Sequence, residues 1–279
     1  MRIPLGYLVC VLASASLLGC NDLGQVRDFA AISSQPEVYQ KLVGEYVHSS
    51  DRKKQYVAVN QYARIDTQTA DRQKQVAGLT ALQKVLTGYM KMLASVADDK
   101  VAEVGESTSS IKTELKTLGG GLKLEAAQVT AIGKLIDFGA RAAIDGYRQK
   151  ELSKLLKDND PSVQVLLKQM RFISGGAIKQ ALEDEKAALD KRYTGILTPL
   201  DANSLSYLQA SQTWFEKRNE ISEKVKACDS YAAALEKIAA GHKKLALEAD
   251  RMSKKDLSNL ISGYKEETKA LYDAAKDLL

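Results

Sequence analysis

The chain has 279 residues, of which 40 are Lys or Arg and 35 are Asp or Glu, so its formal charge is +5. The basic residues occur as short pairs such as Lys53-Lys54 and Lys254-Lys255 among acidic neighbours. Because nucleic-acid binding requires basic residues concentrated on one face, this distribution argues against a nucleic-acid partner. A chain of this length is sufficient for a sizeable core, in one long domain or two smaller ones.

The first twenty residues have the layout of an export signal. Arg2 precedes an apolar run over residues 5–18, and Gly19 then leads to Cys20. A basic start, an apolar middle and a small residue before the cleavage point are typical of such signals. The apolar run is too short to cross a bilayer, which takes about 20 apolar residues. An uncleaved weak anchor is the alternative, but polar Asn21 follows directly where the apolar run stops, which favours cleavage.

The segment Leu17-Leu18-Gly19-Cys20 resembles the lipobox of bacterial lipoproteins. The resemblance implies that the Cys20 thiol receives a diacylglyceryl group, that the chain is cleaved after Gly19, and that the new amino terminus is acylated. A single acyl chain gives only reversible membrane binding, whereas several hold a protein there stably. In enterobacterial lipoproteins an aspartate after the cysteine resembles an inner-membrane retention signal, so Asn21 favours the outer membrane. The expected location is the bacterial cell envelope, facing the periplasm or the exterior.

The domain organisation follows from this signal and from the pattern of the remaining sequence. Residues 1–19 are predicted to be a signal peptide, residues 20–35 a lipidated tether, and residues 36–279 a single elongated helical-bundle domain. The tether is predicted because the sequence before residue 36 is polar and has no clear pattern, apart from Phe29 and Ile32.

Apolar side chains recur every three or four residues through most of the remaining sequence, which predicts an all-α fold. No segment alternates with period two, so no sheet is expected. The predicted fold is an elongated antiparallel bundle of long, coiled-coil-like helices. Prolines are placed at helix starts, because their ring suits the first turn. The prolines predicted to start helices are Pro36, Pro161 and Pro199, and a loop is predicted at residues 158–161. A turn is predicted at Gly119-Gly120-Gly121 and a kink at Gly175-Gly176. The predicted helices cover residues 36–47, 52–78, 79–118, 122–157, 161–195, 205–252 and 257–278.

The sequence offers no catalytic constellation, and we expect no catalytic site, no metal site and no cofactor. His48 and His242 lie far apart, and no metal-binding, phosphate-binding or nucleophile motif is present. Catalysis would need a nucleophile with a base, a carboxylate pair in a cleft, or a metal. His242 shares a helix face with Leu235 and Ala239, where it is either a pH-sensitive position or a satisfied core histidine.

Cys228 and the pair Trp214-Phe215 are the other side chains that stand out. Because Cys10 would leave with the signal peptide and Cys20 would carry lipid, Cys228 would have no intramolecular disulfide partner. Stability would then have to come from packed apolar surface. Cys228 is interpreted as a small buried hydrophobe in preference to a partner in an intermolecular disulfide or a reactive thiol. Trp214 and Phe215 form a candidate partner-binding anchor, since aromatic residues are enriched at interface hot spots. Ordinary core packing is the competing interpretation of this pair.

These observations favour a non-enzymatic, lipid-anchored helical protein that binds, scaffolds or blocks another envelope protein, and homo-oligomerisation is compatible with this role. The alternative is a membrane-active, pore-forming-like protein, with residues 119–147 as the candidate inserting hairpin, because a glycine turn there precedes an apolar helix. Four charged residues between 134 and 145 weigh against insertion, since each is costly at bilayer depth. An enzyme of unfamiliar type is the third hypothesis, which a deep pocket with convergent polar groups would favour.

Overall fold

The computed structural model describes residues 23–100, 108–145 and 151–279, with side chains in the middle range described for residues 110–138. The described part of the chain is all-α and contains no strand, as the sequence predicts. Its helices are α1 (Gly24–Ser33), α2 (Glu37–Lys53), α3 (Tyr62–Ala97), α4 (Thr108–Leu115), α5 (Ala126–Asp145), α6 (Leu152–Phe172), α7 (Lys179–Leu197), α8 (Leu205–Glu248) and α9 (Lys254–Asp277).

The helices pack side by side around one continuous apolar core. Helix α8 lies against α6, α7 and α9, whereas α3 lies against α1, α2 and α4, and α5 lies against α6 and α3. Leu86 and Met90 of α3, Leu166 of α6 and Leu235 of α8 are all fully buried. The helical period of these apolar residues thus places one face of each helix in a shared core.

Residues 24–33 form a helix packed into the bundle, so the prediction of an unpatterned tether reaching residue 35 is wrong for this stretch. Leu23, Val26 and Phe29 are spaced three apart and are at most 1% exposed. Such spacing puts them on one helix face, and α1 packs against α3 and α9. The described part of the bundle therefore includes Leu23 and α1, and residues 20–22 of the predicted tether lie outside the described residues.

The helix predicted over residues 79–118 is interrupted after Ala97. The backbone of Asp99 is left-handed, with φ of 52°, and the Lys100 amide donates to the carbonyl of Ser95 at 2.8 Å. This is the geometry of a Schellman C-cap, in which a left-handed residue closes the last helical turn. Asp is one of the few non-glycine residues that adopt this conformation readily. Because the apolar period resumes in α4, periodicity alone does not show the break.

Pro161 lies inside α6, so the loop predicted at residues 158–161 and the helix start at this proline are wrong. A proline in a helix interior removes one backbone hydrogen bond. The neighbouring polar side chains are used within the bundle. The Asn159 amide donates at 2.8 Å to the carbonyl one turn earlier, and Asp160 bonds to His242 of α8. Packing against α8 therefore overrides the local signal.

Two other predicted helix starts have different outcomes. Helix α2 begins directly after Pro36, as predicted. The start predicted at Pro199 is displaced to Leu205, where the Ser204 hydroxyl accepts a hydrogen bond from the Tyr207 amide at 3.1 Å. A serine that accepts from the third residue of a helix is a strong N-cap, and this cap fixes where α8 begins.

The turn predicted at Gly119-Gly120-Gly121 is confirmed, and the backbone is irregular where a kink is predicted at Gly175-Gly176. Gly120, in the 3-10 turn Gly120–Leu122 between α4 and α5, has φ of +55°, a conformation that costs glycine no steric strain. Gly175 and Gly176 lie in a π-helical segment, Ile173–Ile178, that joins α6 to α7. Such segments are a known cause of helix kinks, so the predicted irregularity lies at the expected glycines.

The candidate inserting hairpin over residues 119–147 is packed into the bundle in its described part. Leu122 and Leu124 of the turn, together with Ile132 and Leu135 of α5, are buried in the core. The side chains of residues 139–147 lie outside the described residues. None of the described helices combines the length and the apolarity that crossing a membrane takes.

Helix α8 runs along the bundle, and its 44 residues correspond to roughly 65 Å. We call one end the base, where the C-terminal ends of α3 and α8 meet α1 and the start of α9. There the Gln25 amide donates to Ser258 Oγ of α9 at 3.3 Å, and Arg27 Nη1 lies 3.4 Å from the Asp98 carboxylate. Leu23, the first described residue, therefore lies at the base.

Candidate functional site at the tip of the α7–α8 hairpin

The hairpin formed by α7 and α8 projects from the end opposite to the base. No side chain between residues 190 and 220 is buried, whereas Leu189 and Ile221 on either side belong to the core. We call residues 190–220 the hairpin tip. Ile221 is the first buried residue of α8, and Trp214, about two turns earlier, still packs against the edge of the core. The helix therefore leaves the packed part of the bundle towards its start at Leu205.

Three large apolar side chains of α8 are exposed at the hairpin tip. The exposed fraction is 69% for Leu205, 54% for Leu208 and 55% for Phe215. Their spacing of three and seven residues places them on one helix face. Single exposed apolar side chains are ordinary, but several on one face mark an interaction surface. This face is the candidate partner-binding surface.

Trp214 and Phe215, the sequence candidates for partner binding, have different environments. Trp214 is half-buried, and its Nε1–H donates to Asp190 of α7 at 2.8 Å. Arg218 pairs with the same carboxylate at 3.2 Å. The Phe215 ring lies with its centroid 5.1 Å from that of Trp214 and is exposed. Trp214 thus joins the two helices, whereas Phe215 presents an accessible aromatic surface.

Sequence reasoning singles out Phe215 but misses the exposure of Leu205 and Leu208. The apolar period of α8 continues unchanged from the hairpin tip into the core, so the pattern does not show where neighbouring helices end. The available signal is the loop around Pro199. Since Leu205 and Leu208 begin the helix directly after a chain reversal, they must lie at the outer end of the hairpin.

A buried polar network joins α3, α6 and α8 within the core. His242 is fully buried, with its Nδ1 2.8 Å from Asp160 Oδ1 and its Nε2 2.6 Å from Tyr89 Oη. Because a carboxylate only accepts, Nδ1 carries hydrogen, and in the neutral ring Nε2 accepts from the Tyr89 hydroxyl. Gln164 donates to the same Asp160 oxygen at 2.9 Å and to the Ala239 carbonyl at 2.8 Å. His242 is therefore a satisfied core histidine.

The electrostatics of this network favour its hydrogen-bonded form. Burial acts to raise the pKa of Asp160, but the hydrogen bonds from His242 and Gln164 outweigh burial and hold that pKa below its ordinary value. Burial also raises the pKa of Tyr89 well above its ordinary value, so the hydroxyl keeps its proton. Since His242 is enclosed, the described residues leave no route by which a substrate would reach the imidazole.

Replacing Tyr89 by phenylalanine is expected to lower the free energy of unfolding by about 1–3 kcal/mol. The change leaves the buried Nε2 of His242 without a partner, while the ring volume is retained. Tyr39→Phe is the matched control, because the Tyr39 hydroxyl is buried and has no hydrogen-bond partner. That variant should be as stable as the parent or more so. Equal losses in the two variants, measured by urea unfolding, would contradict this assignment.

Cys228 is fully buried on α8 and is the one free cysteine among the described residues. Burial, together with the neighbouring charge of Asp229, raises the pKa of its thiol to about 12. Because the thiolate is the reactive form, such a thiol is inert near neutral pH. The interpretation of Cys228 as a small buried hydrophobe is confirmed.

Within the described residues, no group of three His, Cys, Asp or Glu side chains is arranged to hold a metal ion. Comparison with known proteins gives no match to a protein-family model, to a curated protein or to a solved structure. The candidate site is therefore defined by the surface of the molecule itself, where the hairpin tip places Leu205, Leu208 and Phe215 on one exposed face.

Proposed function

We propose that the protein is a non-enzymatic lipoprotein of the bacterial envelope, attached to the membrane through Cys20, that binds another envelope protein with its hairpin tip. The observation that carries the proposal is the separation of the two ends. Leu23 lies at the base, and the exposed face of Leu205, Leu208 and Phe215 lies at the other end of α8. Acyl chains on Cys20, three residues before Leu23, would hold the base at the bilayer surface.

This arrangement suits spacing, scaffolding or blocking. Since α8 is roughly 65 Å long, the hairpin tip would engage its partner at a fixed distance from the membrane. The lipobox-like segment and Asn21 support attachment to the outer membrane, with the bundle facing the periplasm or the exterior. Such a role requires no cofactor, because binding depends only on a rigid helical surface.

The proposal is tested with the triple variant Leu205→Ser/Leu208→Ser/Phe215→Ser in a pull-down from native envelopes. All three positions are exposed, so the free energy of unfolding should change by only about 0.5 kcal/mol per site or less. Because interface energy is concentrated in a few apolar anchors, partner recovery should fall by about tenfold or more. The control is an exposed apolar triple outside the hairpin tip, Phe172→Ser/Leu247→Ser/Met252→Ser.

The parent chain and the control triple should recover the same single partner in stoichiometric amount. Cys20→Ser should keep that partner in a detergent extract, because the anchor and the hairpin tip are at opposite ends. Recovery by the tip variant equal to that of the control triple would overturn the assignment of the binding face. Loss of the partner on changing Cys20 alone would show that binding depends on the anchor instead.

A further inference from the structure

A groove of about 670 Å³ lies between α4, the glycine turn and α5 on the side of the bundle. Its volume is within the range of roughly 300–1,000 Å³ that is typical of small-molecule sites. We call it the lysine groove. Its apolar lining is made by Leu115, Leu118, Leu124, Val129 and Ile136. The first three and Ile136 are nearly buried and continue into the core, whereas Val129 is 49% exposed.

The charges around this apolar lining are predominantly positive. Four lysines and one aspartate line the groove, which gives a net charge of 4 − 1 = +3. Lys112 of α4 pairs with Asp137 of α5. Within the described residues the other three, Lys116, Lys123 and Lys134, have no ion-pair partner. The groove thus combines an apolar floor with a rim of three uncompensated cations.

Gly133 of α5 keeps the groove open. A Cβ atom built at this position would meet no other atom within 4 Å, and the residue lines the groove. A larger side chain there would therefore extend into the groove without disturbing the packing of α5. This provides a way to block the site while leaving the fold intact.

We propose that the lysine groove binds a fatty carboxylate, with the alkyl chain on the apolar floor and the carboxylate among Lys116, Lys123 and Lys134. The three lysines that have no ion-pair partner within the described part of the chain favour an anionic group, and the aliphatic side chains of the floor favour an alkyl chain. A polypeptide fits less well, since its backbone amides would meet aliphatic side chains that offer no hydrogen bonds. The site is independent of the proposed anchor and of the hairpin tip, because its residues all lie between 112 and 137.

The test is a calorimetric titration of the chain from residue 21 onward, which retains every described contact and whose helical circular dichroism is checked first. The probe is dodecanoate below its micelle-forming concentration. We expect saturable binding of one molecule per chain. Dodecanol, which lacks the charge, and acetate, which lacks the chain, should each bind about tenfold more weakly or not at all, since both the apolar and the ionic contacts contribute. Equal binding of dodecanol and dodecanoate would overturn the proposal, as would the absence of saturable binding.

Two pairs of variants locate the site. The triple variant Lys116→Gln/Lys123→Gln/Lys134→Gln should weaken dodecanoate binding by about tenfold, because each exposed ionic contact adds a modest increment. The matched triple Lys91→Gln/Lys226→Gln/Lys255→Gln removes the same charge elsewhere and should change affinity by about twofold or less.

Gly133→Trp should abolish binding. Gly263→Trp on α9 should not, although its Cβ also extends into open space. Unchanged binding in the groove triple and in Gly133→Trp, with their thermal unfolding intact, would show that the ligand binds elsewhere and would overturn the proposal.

Discussion

Replacing Arg52 by methionine is expected to lower the free energy of unfolding by about 3–5 kcal/mol. The Arg52 guanidinium donates to both carboxylate oxygens of Glu185, at 2.7 and 2.8 Å, and to Glu45 at 2.7 Å. Glu185 of α7 is fully buried, so the variant would leave an enclosed carboxylate without its cation. Chemical unfolding followed by circular dichroism measures the loss.

This loss is expected to increase as the pH rises. Burial raises the pKa of Glu185, and the contacts with Arg52 oppose that rise. Without Arg52 the pKa of Glu185 rises further, so the folded state binds the proton more tightly than the unfolded state. The stability that protonated Glu185 contributes is fully present below the pKa that this residue has in the unfolded chain. It is lost as the pH rises through the higher pKa that Glu185 has in the folded variant. The variant should therefore differ from the parent more at about pH 8 than at about pH 5.

Two further variants separate the uncompensated charge from the lost side-chain bulk. Arg171 pairs with Glu236 at an exposed position, so Arg171→Met should cost about 1 kcal/mol or less. The double variant Arg52→Met/Glu185→Leu should recover most of the stability, since apolar pairs often replace buried ion pairs without loss. A double variant as unstable as Arg52→Met would rule out the buried charge as the cause.

Replacing Gly241 by leucine is expected to lower the free energy of unfolding by about 3 kcal/mol. A Cβ at this position of α8 would lie 2.8 Å from Cζ of Phe29 in α1 and 3.2 Å from Cδ1 of Ile261 in α9. Both neighbours are fully buried, so neither has free space to move into. Because the clash falls on α1, amide hydrogen exchange in residues 24–33 should accelerate together with the loss of global stability.

The matched control is Gly263→Leu on α9, where a Cβ meets nothing within 4 Å. This variant should be neutral or more stable by up to about 1 kcal/mol, because leucine has a higher helix propensity than glycine. In the Phe29→Ala background the opposing ring is absent, so Gly241→Leu should lower the free energy of unfolding by less than it does in the parent chain. Similar stability of Gly241→Leu and Gly263→Leu would contradict the close packing of α1 on α8.

The local sequence predicts the helices that have both a regular apolar period and a capping residue. Helix α9, predicted over residues 257–278, is observed at Lys254–Asp277, and its first turn is capped by Ser253, which accepts from the Asp256 amide. Helix α8 is observed at Leu205–Glu248 against a predicted period over residues 205–252, and the Ser204 cap places its start after the predicted Pro199. Periodicity and capping are properties of neighbouring residues, so the sequence contains them directly.

The errors occur where distant contacts decide the structure. Pro161 remains inside a helix because its neighbour Asp160 is bonded to His242, 82 residues further along the chain. The α3 helix ends at a left-handed Asp99, a conformation that asparagine and aspartate tolerate but do not require. Helix α1 has only ten residues, so its apolar pattern repeats too few times to stand out in the sequence. The close approach of the Phe29 ring to Gly241 of α8 shows that this face is buried.

The candidate sites show the same division. The aromatic side chain of Phe215 is conspicuous in the sequence, but its exposure depends on where α7 ends. The lysine groove is not apparent from the sequence, because Lys116, Lys123 and Lys134 come from three different elements, α5 and the two sides of the glycine turn. Scattered lysines indicate a solvated surface until the fold brings them around one apolar floor.

We propose that an acylated Cys20 holds the base at the membrane and directs the hairpin tip away from it. The most direct test is intact-mass analysis, with fragmentation of the amino-terminal peptide, of the protein purified from native membranes. We predict a chain that begins at Cys20, with a diacylglyceryl group on the thiol and an acyl group on the amine. A chain that begins at Met1 and carries no fatty acid would contradict lipid anchoring through Cys20.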